Sequence, residues 1–181
     1  MIITIAGYPG SGKSTVGKIL AEKLEYKRYS MGDLQRDLAK KHGMTLQEWQ
    51  THEEGDDSFD RELDENQRKL GLEEDNFIVD GRLSWYFMPH SLKIFLNVDP
   101  KEGARRIFEH AKEGDRPNEN PYDSIEQVVK QAADRVESEN KRYMAYHGVH
   151  WDDVEKFDLV IDTTKTSPEE VAQQIIDKMA E

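Results

Sequence analysis

One stretch near the N-terminus limits this chain more than any other. Gly7-Tyr8-Pro9-Gly10-Ser11-Gly12-Lys13-Ser14 satisfies G-x-x-x-x-G-K-[ST] at every fixed position. Ile2, Ile3, Ile5 and Ala6 before it form a short apolar run of the kind buried on both faces of a parallel sheet, and a helical pattern begins at Gly12 to Ser14. Glycine lets the backbone between strand and helix turn its N–H groups inward around an anion, and those groups stand at the positive end of the following helix. The pattern predicts a nucleoside triphosphate cradled by Gly7, Tyr8, Pro9, Gly10, Ser11, Gly12, Lys13, Ser14 and Thr15. Lys13 then reaches the β- and γ-phosphates, and Ser14 offers its hydroxyl to Mg²⁺.

Strands and helices alternate through the rest of the 181 residues, a length that suits one α/β domain. Val16, Ile19, Leu20 and Leu24 mark a helix over 14–25, and Lys27 to Ser30 reads as a second strand. Ser30-Met31-Gly32-Asp33 opens a helix that stops at His42-Gly43. Thr45-Leu46-Gln47-Glu48 is a capping box, and a mostly polar helix from Asp57 or Ser58 to Leu70, ahead of Gly71, completes a small solvated segment. Phe77 to Gly81 and Lys93 to Asp99 are expected as the third and fourth strands, after which Pro100 opens a helix with Ala104, Ile107 and Phe108 inward. A proline- and asparagine-rich loop at 114–123 leads to a long amphipathic helix from Ser124 to His147, a fifth strand from Phe157 to Ile161, and a last helix capped by Ser167 and Pro168. Such alternation predicts a parallel sheet covered on both faces, with ligands beyond the carboxyl ends of its strands.

Composition narrows the ligands. The formal net charge of −12 argues against broad nucleic-acid binding, so an anionic substrate has to be captured locally by converging arginines. Cysteine is absent, which excludes disulfides, thiolate metal sites and a zinc-stapled lid. With no apolar run long enough to span a bilayer, and an N-terminus that enters the first strand without a basic segment or cleavage site, we expect a cytoplasmic protein with no membrane partner.

Arginine suits phosphate because it is always charged and donates two parallel bonds. Arg82 follows a strand-end Asp80-Gly81 and is the first candidate for a phosphate contact. Arg36 lies one turn into the helix after Ser30, as either a contact on the same rim or an exposed helix arginine. Arg135, Glu139 and Arg142 recur at i, i+4 and i+7, which makes them an ordinary ion pair or a functional face. Arg105, Arg106 and Arg116 flank or occupy the proline-rich loop, and spacing does not choose among them. Asp80 and Asp99 both end apolar strands; one is expected to steady the waters of Mg²⁺, the other to serve a turn or cap. His147 and His150 lack a nearby third ligand and read as surface residues. Asp56, Asp60 and Asp64 read as a solvated acidic stripe, with the alternative that one accepts from the exocyclic amino group of a base. Trp49 and Trp85 read as packing residues. No Ser-His-Asp set is evident, and phosphoryl transfer onto an ionised phosphate needs none.

Taken together, GYPGSGKSTVGKILAEKL, YSMGDLQRDLAKKHGMTL, EEDNFIVDGRLSWYF, SLKIFLNVD, RVESENKRYMAYHG and FDLVIDTT resemble the cytidylate kinases, in particular their short archaeal-type branch, over nearly the whole chain. DGRL after the third strand and the R-x3-[DE]-x2-R helix are the more specific marks. The resemblance implies an α/β, three-layer P-loop NTPase fold with a five-stranded parallel sheet ordered 2-3-1-4-5. It implies one domain over 1–181: a core at 1–29, 72–104 and 148–181, a helical NMP-binding segment at 30–71, and a lid region at 105–147. It further implies that Arg36 and Arg82 hold the CMP phosphate, that Arg135 and Arg142 bridge the transferring phosphates, that Glu139 contacts the acceptor nucleotide, and that Ser30 and Asp33 recognise its base. The activity implied is ATP-dependent phosphorylation of CMP and dCMP with Mg²⁺, by a monomer. Adenylate kinase is the near rival. A nucleotide-switch protein is the rival from another class, against which Asn140-Lys141-Arg142-Tyr143 lacks the aspartate of N-K-x-D.

Overall fold

Ile2–Gly7 forms the central strand, β1, because its residues are apolar on both sides and find cover on both. In the computed structural model, which describes residues 1–45, 48–49, 58–112 and 122–180 (backbone alone at 58–60), β1 pairs in parallel with β3 (Phe77–Asp80) and β4 (Leu92–Asn97). Strands β2 (Lys27–Ser30) and β5 (Leu159–Asp162) form the edges, giving the order β2-β3-β1-β4-β5. Ile5 lies opposite both Asp80 and Ile94, Ser30 opposite Asp80, and Asn97 opposite Asp162. The carboxyl ends of all five strands therefore emerge along one edge of the sheet, β2 and β3 ending level with Ile5 and β4 and β5 just past Gly7.

Alternation along the strands divides the core in two. Ile3, Ile5, Ile78, Ile94, Leu96 and Ile161 meet Val16 and Leu20 of α1 (Lys13–Leu24) and Val171 and Ile175 of α7 (Pro168–Met179). On the opposite face Ala6 and Phe95 pack with Leu83, Trp85, Phe87 and Trp151, two of them on the one-turn helix α4 (Ser84–Phe87). Farther out, α5 (Pro100–Lys112) lies against α6 (Ile125–His147) through Ala104, Ile107 and Val128. Helices α2 (Met31–Lys41) and α3 (Ser58–Glu73) close a small core of Leu38, Ala39, Trp49 and Leu63.

Helix boundaries follow local chemistry. Ser30, Ser124 and Ser167 each accept a backbone N–H at the start of α2, α6 and α7, and Ser167 forms a reciprocal capping box with Glu170. Thr45 and Glu48 make the same reciprocal bonds. Helix α3 differs from expectation: it runs through Gly71 to Glu73 instead of stopping at Leu70. Gly71 serves close packing there, since a Cβ would stand 2.9 Å from the Met88 side chain. Strand β4 ends at Asn97 because Asp99 is needed to cap α5, its Oδ1 accepting from the N–H groups of Lys101 and Glu102. Strand β5 begins at Leu159, two residues late, after a 3-10 turn at Val154–Lys156. Apart from Tyr122 and Asp123, the loop expected at 114–123 lies outside the described residues.

Leu20 has no exposed surface, whereas Leu72 is 88% exposed at the end of α3. Leu20→Ala should lower the unfolding free energy by about 2–5 kcal/mol, and Leu72→Ala by less than about 0.5 kcal/mol. Urea denaturation followed by circular dichroism measures both.

Candidate active site

The glycine loop is shaped by contacts that leave no room for side chains. At Gly7 an added Cβ would lie 2.3 Å from the Leu96 carbonyl oxygen; at Gly10, with φ of 75°, it would lie 2.2 Å from that of Gly103. The loop is also tied down. Thr163 Oγ1 donates to the Ser11 carbonyl at 3.0 Å, and Tyr8 packs edge-on against Phe95 and Trp151. Lys13 Nζ donates to the carbonyls of Gly7 and Tyr8, both at 2.8 Å. Burial and the nearby Arg82 guanidinium lower the Lys13 pKa well below its ordinary value.

Beside the loop, Arg82 stands just past the end of β3. Its Nε donates to Glu139 Oε2 and its Nη1 to the Gly7 carbonyl at 2.9 Å, with the guanidinium 4.5 Å from the centre of the Trp151 ring. Arg135, one turn before Glu139 on α6, donates to Oε1 at 2.8 Å. Glu139 thus has an arginine on each oxygen. Burial alone would raise its pKa, but the two guanidinium groups outweigh that and hold it down to about 2. Arg142, buried, follows on the same helix face with Tyr143 beside it. Glu139 therefore orients Arg82 and Arg135 while lining the cleft itself.

Asp80 and Asp99 separate cleanly. Asp80 Oδ1 accepts from Ser30 Oγ at 3.0 Å and from Ser14 Oγ at 3.4 Å, and its other oxygen pairs with Arg28. Asp99 is the helix cap described above. Arg28 had no signal beyond being one of two cations on a short edge strand. Among the α5 arginines, Arg105 is exposed and pairs with Glu102 and Glu109, while Arg106 reaches the carbonyls of Thr163 at 2.8 Å and Thr164 at 3.2 Å beside the loop. Arg116 lies outside the described residues. Arg36 pairs with Asp33 and stays on the rim.

These groups wall one cleft of about 1320 Å³ above the sheet. Pro9, Gly10, Ser11, Gly12, Lys13, Ser14 and Thr15 line it, together with Ser30, Arg36, Arg82, Arg135, Glu139 and Arg142. Gly7 and Tyr8 stand behind the loop, holding Lys13 through their carbonyls. Asp33 is absent from the walls and braces Arg36 instead.

Two sequence readings need correction. His147 is not a surface residue: its ring is largely buried among Tyr86, Phe87 and Tyr143, with Nε2 3.1 Å from Asp64 Oδ2. Nor is Asp64 part of a solvated stripe, being buried on α3, while Asp56 and the Asp60 side chain lie outside the described residues. Burial and the Arg68 guanidinium lower the His147 pKa, so at neutral pH the ring is uncharged, with Nε2–H directed at the carboxylate as a hydrogen-bond donor. His150 is exposed, as read, and Trp49 and Trp85 are buried packing residues.

The model of the cytidylate kinase-like family matches residues 2–165. The chain belongs to that family. It is 36% identical over 177 residues to the cytidylate kinase of Archaeoglobus fulgidus, covering 97% of this chain and 93% of that one. It is 34% identical over 163 residues to that of Methanosphaera stadtmanae, covering 90% and 88%. Among solved structures, an uncharacterized protein from Eubacterium ventriosum superposes with a TM-score of 0.71 at 20% identity, covering 99% of this chain and 98% of that one. A shikimate kinase from Bacteroides thetaiotaomicron gives 0.65 at 17% identity, covering 100% and 99%. At those identities the structures share the P-loop kinase fold.

Glu139→Gln isolates the buried carboxylate. Because its folded pKa is depressed from 4.5 to about 2, its contribution is complete above pH 4.5 and is lost as pH falls toward 2. The stability gap between parent and variant, on the order of 3 kcal/mol, should be constant from neutral pH to about 5 and narrow below. A gap that persists unchanged at the acid end of the urea series contradicts the assignment.

Proposed function

We propose that this chain transfers the γ-phosphoryl group of ATP to CMP, and to dCMP, yielding the diphosphate and ADP. One observation carries the reading: two sets of anion-binding groups, the loop with Lys13 and the arginines at 36, 82, 135 and 142, line a single cleft. Two phosphorylated ligands can meet there end to end, as a kinase requires and a single-nucleotide switch does not. The names of the relatives, cytidylate kinases of similar length, supply the acceptor.

In this reading the loop N–H groups and Lys13 hold the donor phosphates. Arg36 and Arg82 hold the acceptor phosphate, with Ser30 and Asp33 supporting that side, and Arg135 and Arg142 neutralise charge on the group in transit. The acceptor oxygen is already ionised near neutral pH, so positioning and charge stabilisation suffice without a general base. Ser14 and Asp80 form an oxygen-only donor pair of the type that suits Mg²⁺ beside phosphates: Ser14 would hold the ion and Asp80 its waters. The ion, when bound, neutralises phosphate charge. Residues 30–71 grip the acceptor, 105–147 carry the lid, and the remainder is the core. All of these groups belong to one chain, which favours a monomer. No described helix is long and apolar enough to cross a membrane, in keeping with a cytoplasmic place of action.

An ADP-release assay across CMP, dCMP, UMP and AMP should give the highest kcat/KM with CMP or dCMP, and faster turnover with AMP than with CMP would overturn the proposal. Lys13→Ala and Arg82→Ala should each lower kcat by about 10²-fold or more with an unchanged circular dichroism spectrum. A bisubstrate dinucleotide should raise the melting temperature more than ATP does, since it fills both halves of the cleft.

A further inference from the structure

Away from the phosphate-binding groups the cleft continues between α2, α3 and α6, where Gln35, Leu63, Asp64, Gln67 and Tyr143 wall it. Asp64 and Gln67 stand out because polar groups on a surface helix ordinarily face water, as their neighbours Glu65, Asn66 and Arg68 do. Instead they are 7% and 3% exposed, one helical turn apart on the face turned to the cleft. Burial of such groups is costly unless they are held, and each is held from a distant part of the chain. His147 Nε2 lies against Asp64 Oδ2 at 3.1 Å, and Ser84 Oγ donates to Gln67 Oε1 at 2.7 Å. With Oε1 engaged, the amide nitrogen is what Gln67 presents as a donor, beside the carboxylate of Asp64 as an acceptor.

That order of acceptor and donor has a chemical complement. A 4-aminopyrimidine shows an amino donor next to a ring-nitrogen acceptor, whereas a 4-oxopyrimidine shows the reverse, a carbonyl acceptor next to a ring N–H. We propose that Asp64 and Gln67 read the base of the acceptor nucleotide, the carboxylate accepting from the exocyclic amino group and the amide donating to the adjacent ring nitrogen, with His147 and Ser84 as the positioning residues. A uracil in the same place sets its carbonyl against the carboxylate and its N–H against the amide, leaving two pairs unmade in a site withdrawn from water. Adenine carries the same amino and ring-nitrogen pair as cytosine. The comparison that tests Asp64 and Gln67 is therefore CMP against UMP. This inference rests on the CMP kinase reading, and its test is arranged so that the two fail separately.

The experiment measures kcat/KM for CMP and UMP, and KM for ATP, in the parent, Asp64→Asn, and the double variant Asp64→Asn with Gln67→Glu. Both substitutions keep shape and exchange donor for acceptor, and melting temperatures confirm folding. Asp64→Asn should lower kcat/KM for CMP by about 10²-fold, reduce the CMP-to-UMP ratio at least about tenfold, and leave KM for ATP unchanged. The double variant should prefer UMP. His147→Ala should lower the ratio, and His147→Gln should restore it by putting an amide N–H where Nε2 stood. An equal fall for CMP and UMP, or a double variant that keeps the parent's preference, overturns the assignment even when the parent is a CMP kinase. A parent that turns over AMP fastest overturns the reading beneath it.

Discussion

Gathering Lys13, Arg82, Arg135 and Arg142 around one cleft sets like charges against each other, and the buried carboxylate of Glu139 is what allows it. Two unit charges 4 Å apart interact by about 4 kcal/mol at an effective dielectric constant of about 20, so cations in a partly desolvated cleft cannot stay close without compensation. Glu139 supplies it at the centre, with Arg82 on one oxygen and Arg135 on the other. Its depressed pKa keeps that charge in place over the whole neutral range. Asp80 does the same for Arg28 and the loop side. In a chain with a net charge of −12, the positive region is a local construction of paired groups rather than a property of the surface.

Sheet topology decides where this construction can stand. The chain leaving β1 turns through the glycine loop toward the β2 edge, while the chain leaving its neighbour β4 turns through Asp99 toward the β5 edge. Connections that part in opposite directions open a crevice over the strand ends. Parallel register brings Ile5, Ser30 and Asp80 to one height there, with Gly7 two residues beyond, so the loop that carries Ser14 and the turn that carries Arg82 leave adjacent strands. Trp151 fixes the Arg82 guanidinium from beneath, itself stacked on Phe95 of β4.

Features governed by near neighbours in the chain were legible from residues alone. The glycine loop, the serine caps at Ser30 and Ser167, and the apolar strands each depend on spacing within a few residues. Strand order was carried by the family resemblance. What could not be read depends on contacts between distant residues. Asp80 and Asp99 present the same local pattern and differ only because β3 borders β1 and β2 while β4 runs into a helix that needs a cap. His147 looked like a surface residue because its partners, Asp64 on α3 and the rings of α4, lie far away in the chain. Gly71 carried the local mark of a helix stop, and the tight approach of Met88 gave it another purpose.

Helix α3 shows how the two ends of the cleft are linked. Its inner face is only half apolar: Leu63 and Leu70 pack inward, but Asp64 and Gln67 occupy places where a core helix would carry leucine or isoleucine. Replacing apolar burial by hydrogen-bonded polar groups forfeits roughly 1.5–3 kcal/mol for each large side chain, while a typical hydrogen bond returns about 1 kcal/mol. Part of what holds the helix accordingly comes from Ser84 and His147. A ligand that joins the polar face of α3 to the arginines of α6 would add polar contacts to those of Ser84 and His147. In the proposed reading, the groups that α3 offers the acceptor are those that apolar packing left out.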